Sequence, residues 1–587
     1  MMKFLAEAPR HFFFTGKGGV GKTSIACATA VHLARQGKRV LLVSTDPASN
    51  VAQVFGATIG NRVTPIEQVP GLATLEINPD EAAEEYRNKI LDPVRAILPA
   101  KEIKEITEQL SGSCTTEIAS FNEFTDLLAN PETTRDYDHI IFDTAPTGHT
   151  IRLLQLPGSW TSYLDAGKGD VSCLGPMSGL EKNRATYRAA IQTLTDTAQT
   201  RLVLVARAQQ STLSEVARTL DELAELDIHA TNLVVNGQLP SAAATDDFSR
   251  TIHAREQAAV NGMSPTLAAL PRDTIELKAT NMIGPEALTT LFNQGAETPT
   301  DDAAASPTDT PDAIPPRLTC LVDELAQKDH GLVMAMGKGG VGKTTVAAAI
   351  AIALVQRGKK VLLTTTDPAA HLTTTLGSDV PGLEVSAIDP AQATQEYRDR
   401  VMASKGTKLS DAGRAALAED LMSPCTEEIA VFQQFSRTVD KAHDQFVVMD
   451  TAPTGHTLLL MDATGAYHRD ITRHLDETQH GHVTTPLTQL QDPDHTKIVV
   501  VTLPETTPVT EARALTADLE RANIRPWAWV MNNSLAAASP TSPLLAVRAH
   551  SEQQQLELVS TIATRWAVIP AQTDEPVGAE QLSALCS

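Results

Sequence analysis

Gly16-Lys17-Gly18-Gly19-Val20-Gly21-Lys22-Thr23 reads GKGGVGKT, and the same eight letters return at Gly337-Lys338-Gly339-Gly340-Val341-Gly342-Lys343-Thr344. Both satisfy G-x-x-x-x-G-K-[ST]. Each follows a short apolar run, Phe12–Phe14 or Leu332–Met334, and precedes Ala-rich helical sequence. That strand–loop–helix context is the one a phosphate-binding loop requires. Its glycines let successive backbone N–H groups turn inward around a phosphate, and the following helix adds its positive end. Lys22 and Lys343 are expected to reach the β- and γ-phosphates, and Thr23 and Thr344 to hold Mg²⁺ through their hydroxyls. Ser24 and Thr345 complete the two expected nucleotide-binding stretches.

The duplication extends well beyond the loops. Asp46-Pro47-Ala48 returns as Asp367-Pro368-Ala369, CTTEIASFNEF from Cys114 as CTEEIAVFQQF from Cys425, and DTAPTGHT from Asp143 as the identical string from Asp450. Four blocks in one order identify a tandem repeat. Further strands are expected at Val40–Val43, Ile140–Phe142, Leu202–Val205 and Leu233–Val235. Their counterparts are Val361–Leu363, Phe446–Met449, Ile498–Val501 and Trp527–Val530. Strands apolar throughout and separated by long crossovers imply an α/β fold, a mainly parallel sheet flanked by helices, in each half. Residues 293–316 carry five prolines, five acids and no basic residue, which reads as a solvated linker. The expected domains are therefore 1–292 and 317–587, joined by 293–316.

Composition narrows the class of function. The 587 residues are 42% hydrophobic, 20% charged and 4% aromatic, with a net charge of −23. So acidic a chain makes a poor partner for nucleic acid or an anionic membrane surface. No window approaches the roughly 18 uninterrupted apolar residues of a membrane span, and the first residues do not read as a secretory signal. Six widely spaced cysteines (27, 114, 173, 320, 425 and 586), with no C-x-x-C pair, fit neither a disulfide scaffold nor a zinc ribbon. Reduced thiols and a cytoplasmic location without direct membrane insertion are expected.

Lys17 and Lys338 stand directly after the first glycine of each loop. This KGGVGKT form resembles the deviant Walker A ATPases, a family that includes nitrogenase iron protein, partition ATPases and membrane-protein targeting factors. The resemblance implies tandem P-loop NTPase domains in which the extra lysine reaches the nucleotide across a dimer interface. Two such domains in one chain would form a pseudo-twofold intramolecular dimer. Asp46 and Asp367, after the second strand of each half, suit a carboxylate that orients or deprotonates the attacking water; an aspartate before proline also makes an ordinary turn. Asp143 and Asp450 end the third strand, the place of a carboxylate that holds Mg²⁺ through water. The T-A-P-T-G-H-T that follows is similar to the family's second switch. Asn236, Asn532 and Asn533 end late strands and either recognise adenine or cap the strand.

Cys114 and Cys425 occupy equivalent places in the repeat, while Cys173 has no counterpart. Three thiolates suit a soft trivalent ion such as arsenic or antimony; the alternative is three small buried hydrophobes. Across its length the chain resembles the arsenical pump-driving ATPases, and that resemblance assigns Cys114, Cys173 and Cys425 as metalloid ligands. His149, His456 and Ser423 correspond to additional residues of that site. It further implies ATP hydrolysis stimulated by arsenite or antimonite, an integral membrane efflux protein as partner, an arsenic metallochaperone, and peripheral attachment to the inner face of the membrane through the partner. Cys27, Cys320 and Cys586 read as bystanders.

Three rival readings share the fold. A targeting ATPase that delivers C-terminal membrane anchors needs a broad Met/Leu-rich groove, yet the chain has 12 methionines and no C-x-x-C. A partition or septum-positioning switch needs a basic patch or tail, and the end, VGAEQLSALCS, has no basic residue. A four-iron electron carrier needs paired cysteines, and Cys173 is unpaired in the repeat.

Overall fold

The structure, a computed structural model, describes residues 2–46, 50–93, 95, 99, 103, 106, 107, 110, 113–144, 178–293, 315–367, 372–404, 407, 409–421, 424–451 and 485–586. The chain divides into two compact units, Met1–Ala242 with His253–Glu297, and Ala243–Ile252 with Thr298–Ser587. Each is an α/β unit built on a twisted, mainly parallel sheet.

The first unit carries β1 (His11–Thr15), β2 (Val40–Ser44), β3 (Thr64–Pro65), β4 (Leu72–Glu76), β5 (His139–Asp143), β6 (Thr200–Arg207), β7 (Ala230–Gln238) and β8 (Arg272–Glu276). Their order across the sheet is β3-β4-β2-β5-β1-β6-β7-β8. Neighbours run parallel except β3, which lies antiparallel on β4. The second unit has β9 (Gly331–Met336), β10 (Val361–Thr365), β11 (Leu383–Ala387), β12 (Phe446–Asp450), β13 (Thr496–Thr502), β14 (Pro526–Ser534) and β15 (Trp566–Pro570). Their order is β11-β10-β12-β9-β13-β14-β15, parallel throughout. Both sheets thus place the strand preceding the phosphate loop at the centre. The strand order reverses there, the point at which an open parallel sheet offers a crevice at its carboxyl edge.

All ten strands expected from sequence lie inside observed ones. The edge strands β3, β8, β11 and β15, and β4 beside β3, escaped that reading because they are short or mix polar with apolar residues. Thus β8 (RDTIE) and β11 (LEVSA) are only partly buried.

Helices cover both faces of each sheet, and successive residues of the central strand serve opposite layers. Phe12 and Phe14 pack with Val20, Ile25 and Val31 under helix α1 (Lys22–Arg35). Phe13 faces the other way, stacked on Phe142 at 4.5 Å between ring centroids. Phe124 of helix α2 (Ser113–Ala129) meets Phe142 edge-on at 5.4 Å. Burying each such ring stabilises the unit by about 2–3 kcal/mol. In the second unit Val333 and Ala335 face helix α4 (Lys343–Gln356), whereas Met334 and Met336 face Phe435 of helix α5 (Pro424–Asp440). Near the expected linker, Phe292 packs against Phe4, and the Val568 N–H donates to the Pro316 carbonyl.

One residue of the central strand is out of keeping with its neighbours. His11 is buried, and burial, helped by the adjacent Arg10 charge, lowers its pKa to about 4. The repeat puts Leu332 at the matching place. Because the folded pKa lies below the unfolded value of about 6.5, the unfolded chain takes up the proton first as pH falls. Stability is therefore full above that value and is lost between about pH 6.5 and 4, by up to roughly 3 kcal/mol from this group. Urea midpoints measured across that window should fall in the wild type, and His11→Leu should flatten the decline. An unchanged slope in the variant would assign the acid sensitivity elsewhere.

Candidate functional site

The phosphate loops run from the end of the central strand into the first turn of the following helix. Gly21 and Gly342 cap α1 and α4 in the left-handed conformation, at φ 93° and 92°. A Cβ on either would overlap the side-chain amide of Asn236 or Asn532. At Gly16 and Gly337 a Cβ would overlap the carbonyl oxygen of Val205 or Val501 on the next strand. Glycine is required at both ends of each loop by position as well as by dihedral angle.

The loop lysines point back over the loop. Lys22 Nζ donates to the carbonyls of Gly16 at 3.0 Å and Lys17 at 3.1 Å. Lys343 Nζ donates to the Lys338 carbonyl at 3.2 Å. Both side chains are buried at the mouth. Beside them, Thr23 Oγ1 donates to Asp143 Oδ2 at 2.8 Å, and Thr344 Oγ1 to Asp450 Oδ2 at 2.6 Å. The helix N-terminus and the end of β5 or β12 are thereby joined by a hydroxyl–carboxylate pair in each half. Such a pair suits a hydrated Mg²⁺ ion. Asp450 supports the fit, since its Oδ1 is buried with no hydrogen-bond partner among the described residues. Burial pushes the Asp450 carboxyl up to about 6; Lys343 and the Thr344 hydroxyl oppose the shift, and the Asp367 charge adds to it.

Asp46 and Asp367 follow β2 and β10, next to these carboxylates. The Asp367 N–H donates to Thr365 Oγ1 at 3.0 Å, and the Asp46 N–H to Ser44 Oγ at 3.4 Å. A strand-end hydroxyl thus holds the start of each turn. The residues after Asp143 and Asp450 are tied back to the central strand: Thr144 Oγ1 donates to the Phe14 carbonyl at 2.7 Å, and Thr451 Oγ1 to that of Ala335 at 2.8 Å.

The strand-end asparagines make a contact that sequence reasoning did not foresee. Asn236 Nδ2 donates to the Val20 carbonyl at 2.8 Å, and Asn532 Nδ2 to that of Val341 at 2.9 Å. Asn533 sits at a positive φ of 59°. The two second lysines are also held: Lys17 Nζ lies 2.9 Å from Glu215 Oε2, and Lys338 Nζ 2.5 Å from Glu511 Oε1. These glutamates stand on helix α3 (Gln210–Glu225) and helix α6 (Thr506–Arg521). Sequence reading passed over them, although a Ser-Glu and a Thr-Glu recur at matching places in the repeat.

Of the expected metalloid residues, Cys114 and Cys425 are each the second residue of their helices, α2 and α5, and their side chains lie outside the described residues. His149, Cys173, Ser423 and His456 also lie outside the described residues. Of the bystanders, Cys27 is fully buried, with burial raising its thiol pKa well above the usual value. Cys586 is buried with its thiol pushed up to about 12, and Cys320 is exposed.

The chain has relatives along its whole length. The model of the anion-transporting ATPase family matches residues 9–294, 330–483 and 473–587. The chain belongs to that family. It is 56% identical over 591 residues to the arsenical pump-driving ATPase of Acidiphilium multivorum, and 56% identical over 587 residues to that of Escherichia coli, with all of both chains covered in each case. The ATPase GET3 of Kluyveromyces lactis is 31% identical over 254 residues, covering 39% of this chain and 71% of that relative. Membership of the anion-transporting ATPases makes the chain an ATPase. Among the described residues no helix is long and apolar enough to cross a membrane.

The asparagine contact can be checked directly. In Asn236→Ala the buried Val20 carbonyl loses its donor, at a cost of about 1–3 kcal/mol, and the loop loses its brace. Affinity for a fluorescent ATP analogue at the first site should drop by about tenfold, the equivalent of about 1.4 kcal/mol. Unchanged binding would show that the loop holds its shape without Asn236.

Proposed function

We propose that this chain hydrolyses ATP to drive export of arsenite and antimonite through a separate integral membrane subunit, conferring arsenic resistance. What supports the reading most is the combination of two complete phosphate loops with full-length likeness, at 56% identity, to arsenical pump-driving ATPases. In this reading the domains are 1–292 and 317–587, joined by the acidic linker 293–316, and the halves pair as a pseudo-twofold dimer. A metallochaperone supplies the metalloid. The chain works in the cytoplasm, at the inner face of the membrane through its partner, with no nucleic acid bound.

In this reading each site residue takes a role. Backbone N–H groups of residues 16–24 and 337–345 cradle the phosphates, and Lys22 and Lys343 exchange their carbonyl partners for phosphate oxygens. Mg²⁺, when bound, offsets charge on the β- and γ-phosphate oxygens, and Thr23, Asp143, Thr344 and Asp450 are the residues that would hold it. Asp46 and Asp367 orient the attacking water, and Lys17 and Lys338 act on the nucleotide of the opposite half. Asn236 and Asn532 brace the loops and stand near the adenine end. Cys114, Cys173 and Cys425, with His149, His456 and Ser423 beside them, take As(III) or Sb(III). The two histidines belong to DTAPTGHT, the segment that begins with the magnesium-side aspartates. Binding of the metalloid therefore biases the loops that position Mg²⁺ and water.

Steady-state ATP hydrolysis with and without antimonite tests the reading. The wild type should accelerate, and Cys114→Ser, Cys173→Ser and Cys425→Ser should each need at least about tenfold more antimonite, the cost of a lost ligand worth about 1.4 kcal/mol or more. A wild-type rate indifferent to arsenite and antimonite, with Cys114→Ser behaving identically, would falsify it. If the same protein instead captured an apolar anchor helix, the targeting reading would replace it.

A further inference from the structure

The second lysines set a problem for the nucleotide sites, because an ammonium needed at a phosphate is already engaged within its own half. Lys17 meets Glu215 at 2.9 Å, and Lys338 meets Glu511 at 2.5 Å. The same pair stands at equivalent positions in both units, kept after the repeats diverged. Neither is an ordinary surface ion pair. The Glu215 side chain is 8% exposed and that of Glu511 13%, while Lys17 and Lys338 are 39% and 17% exposed. A sheltered carboxylate keeps more of its attraction for a cation than a solvated one does.

The mounting of each carboxylate is rigid. On α3, Leu213, Val216 and Leu223 are buried against the sheet, and Thr212 Oγ1 donates to the Arg207 carbonyl at the strand end. On α6, Val509, Ala512, Leu515 and Leu519 do the same, and Arg548 pairs with Glu505 at the N-cap at 3.0 Å. The lysines, by contrast, stand on the loop that handles phosphate. Their own carbonyls accept from Lys22 and Lys343, so rearranging those lysines toward a phosphate also frees the backbone of residues 17 and 338. The loop and the second lysine are therefore mechanically linked, and the glutamate is the fixed point.

We propose that Glu215 and Glu511 are holding residues: each retains the second lysine in its own half and competes with nucleotide phosphate for that ammonium. The proposal rests on the reading of the chain as an ATPase and adds a restraint on turnover. Release of Lys17 or Lys338 is then a step that must precede its use on a nucleotide, and the strength of the ion pair sets how often it happens unprompted. Glu215 and Glu511 are positioning residues in this scheme, since they act through the lysines.

The test uses the full chain without metalloid. Glu215→Gln, Glu511→Gln and the double variant keep the side-chain shape but weaken the hold on the ammonium. Each single variant should raise basal kcat/KM for MgATP severalfold and tighten binding of a slowly hydrolysed ATP analogue, and the double variant should do so more. In a Lys17→Ala background, Glu215→Gln should bring no further gain. Glu215→Asp, which keeps the charge, should stay nearer the wild type than Glu215→Gln. A gain that persists without Lys17 would mean a general field effect of the carboxylate and would overturn the proposal. So would Gln variants that match or fall below the wild type in both readouts while melting at the wild-type temperature. Loss of folding in one variant would show as a lowered melting temperature, and the equivalent pair in the other half then decides between the two outcomes. Antimonite stimulation of the wild type is scored separately, so a failure of the export reading leaves this result standing or falling alone.

Discussion

The hydroxyl–carboxylate bond between the first turn of the helix and the end of the neighbouring strand is the constraint on which the rest of each half depends. Thr23 with Asp143, and Thr344 with Asp450, fix how far the phosphate loop stands from the strand that ends in that aspartate. Everything else at the carboxyl edge of the sheet is arranged around that separation. The loop must pass close to the next strand, so its first residue has no room for a Cβ. It must also turn sharply into the helix, so its last glycine adopts a left-handed conformation. The asparagine from β7 or β14 then fills the space left by that glycine and binds the loop carbonyl. Replacing one member of this set would shift the others, because the packed sheet beneath cannot stretch to accommodate the change.

Much of this was legible in the sequence, and for a physical reason. Phosphate chemistry needs small residues at fixed intervals, and buried parallel strands need uninterrupted apolar runs. Both leave marks that a single sequence shows. Phe12–Phe14 and Val361–Leu363 announce interior strands because they are covered on both faces. LEVSA at the edge of the second sheet, half exposed, carries no such mark. The repeat did the remaining work, since a motif found twice in the same order is hard to read as accident.

What sequence reading missed falls in one class: residues whose importance comes from a partner distant in the chain. The Asn236 amide meets a carbonyl more than two hundred residues earlier, and Glu215 meets a lysine nearly as far back. Neither pairing has a spacing rule, so periodicity offers nothing to detect. Adenine recognition and strand capping were natural suggestions for an isolated strand-end asparagine; bracing the loop becomes visible only once the end of β7 reaches the β1–α1 loop. The cysteines present the reverse case. Their sequence pattern is asymmetric and informative, and two of the three stand at matching places on helices α2 and α5.

The two halves are equivalent in plan and different in detail, and the difference falls where control would be useful. Ser44 in the first half and Thr365 in the second each hold the turn that carries Asp46 or Asp367, but Thr365 Oγ1 also donates to Asp450 Oδ2 at 3.4 Å. Lys17 is more than twice as exposed as Lys338, so water screens its ion pair more strongly and weakens its hold. Duplication first gives two identical sites, and in the proposed scheme identical sites would release their lysines with equal ease. Drift at the residues around the loops, with the loops themselves unchanged, separates the two release steps without altering phosphate chemistry. An ordered sequence of events can then arise in a single chain from two copies of one site.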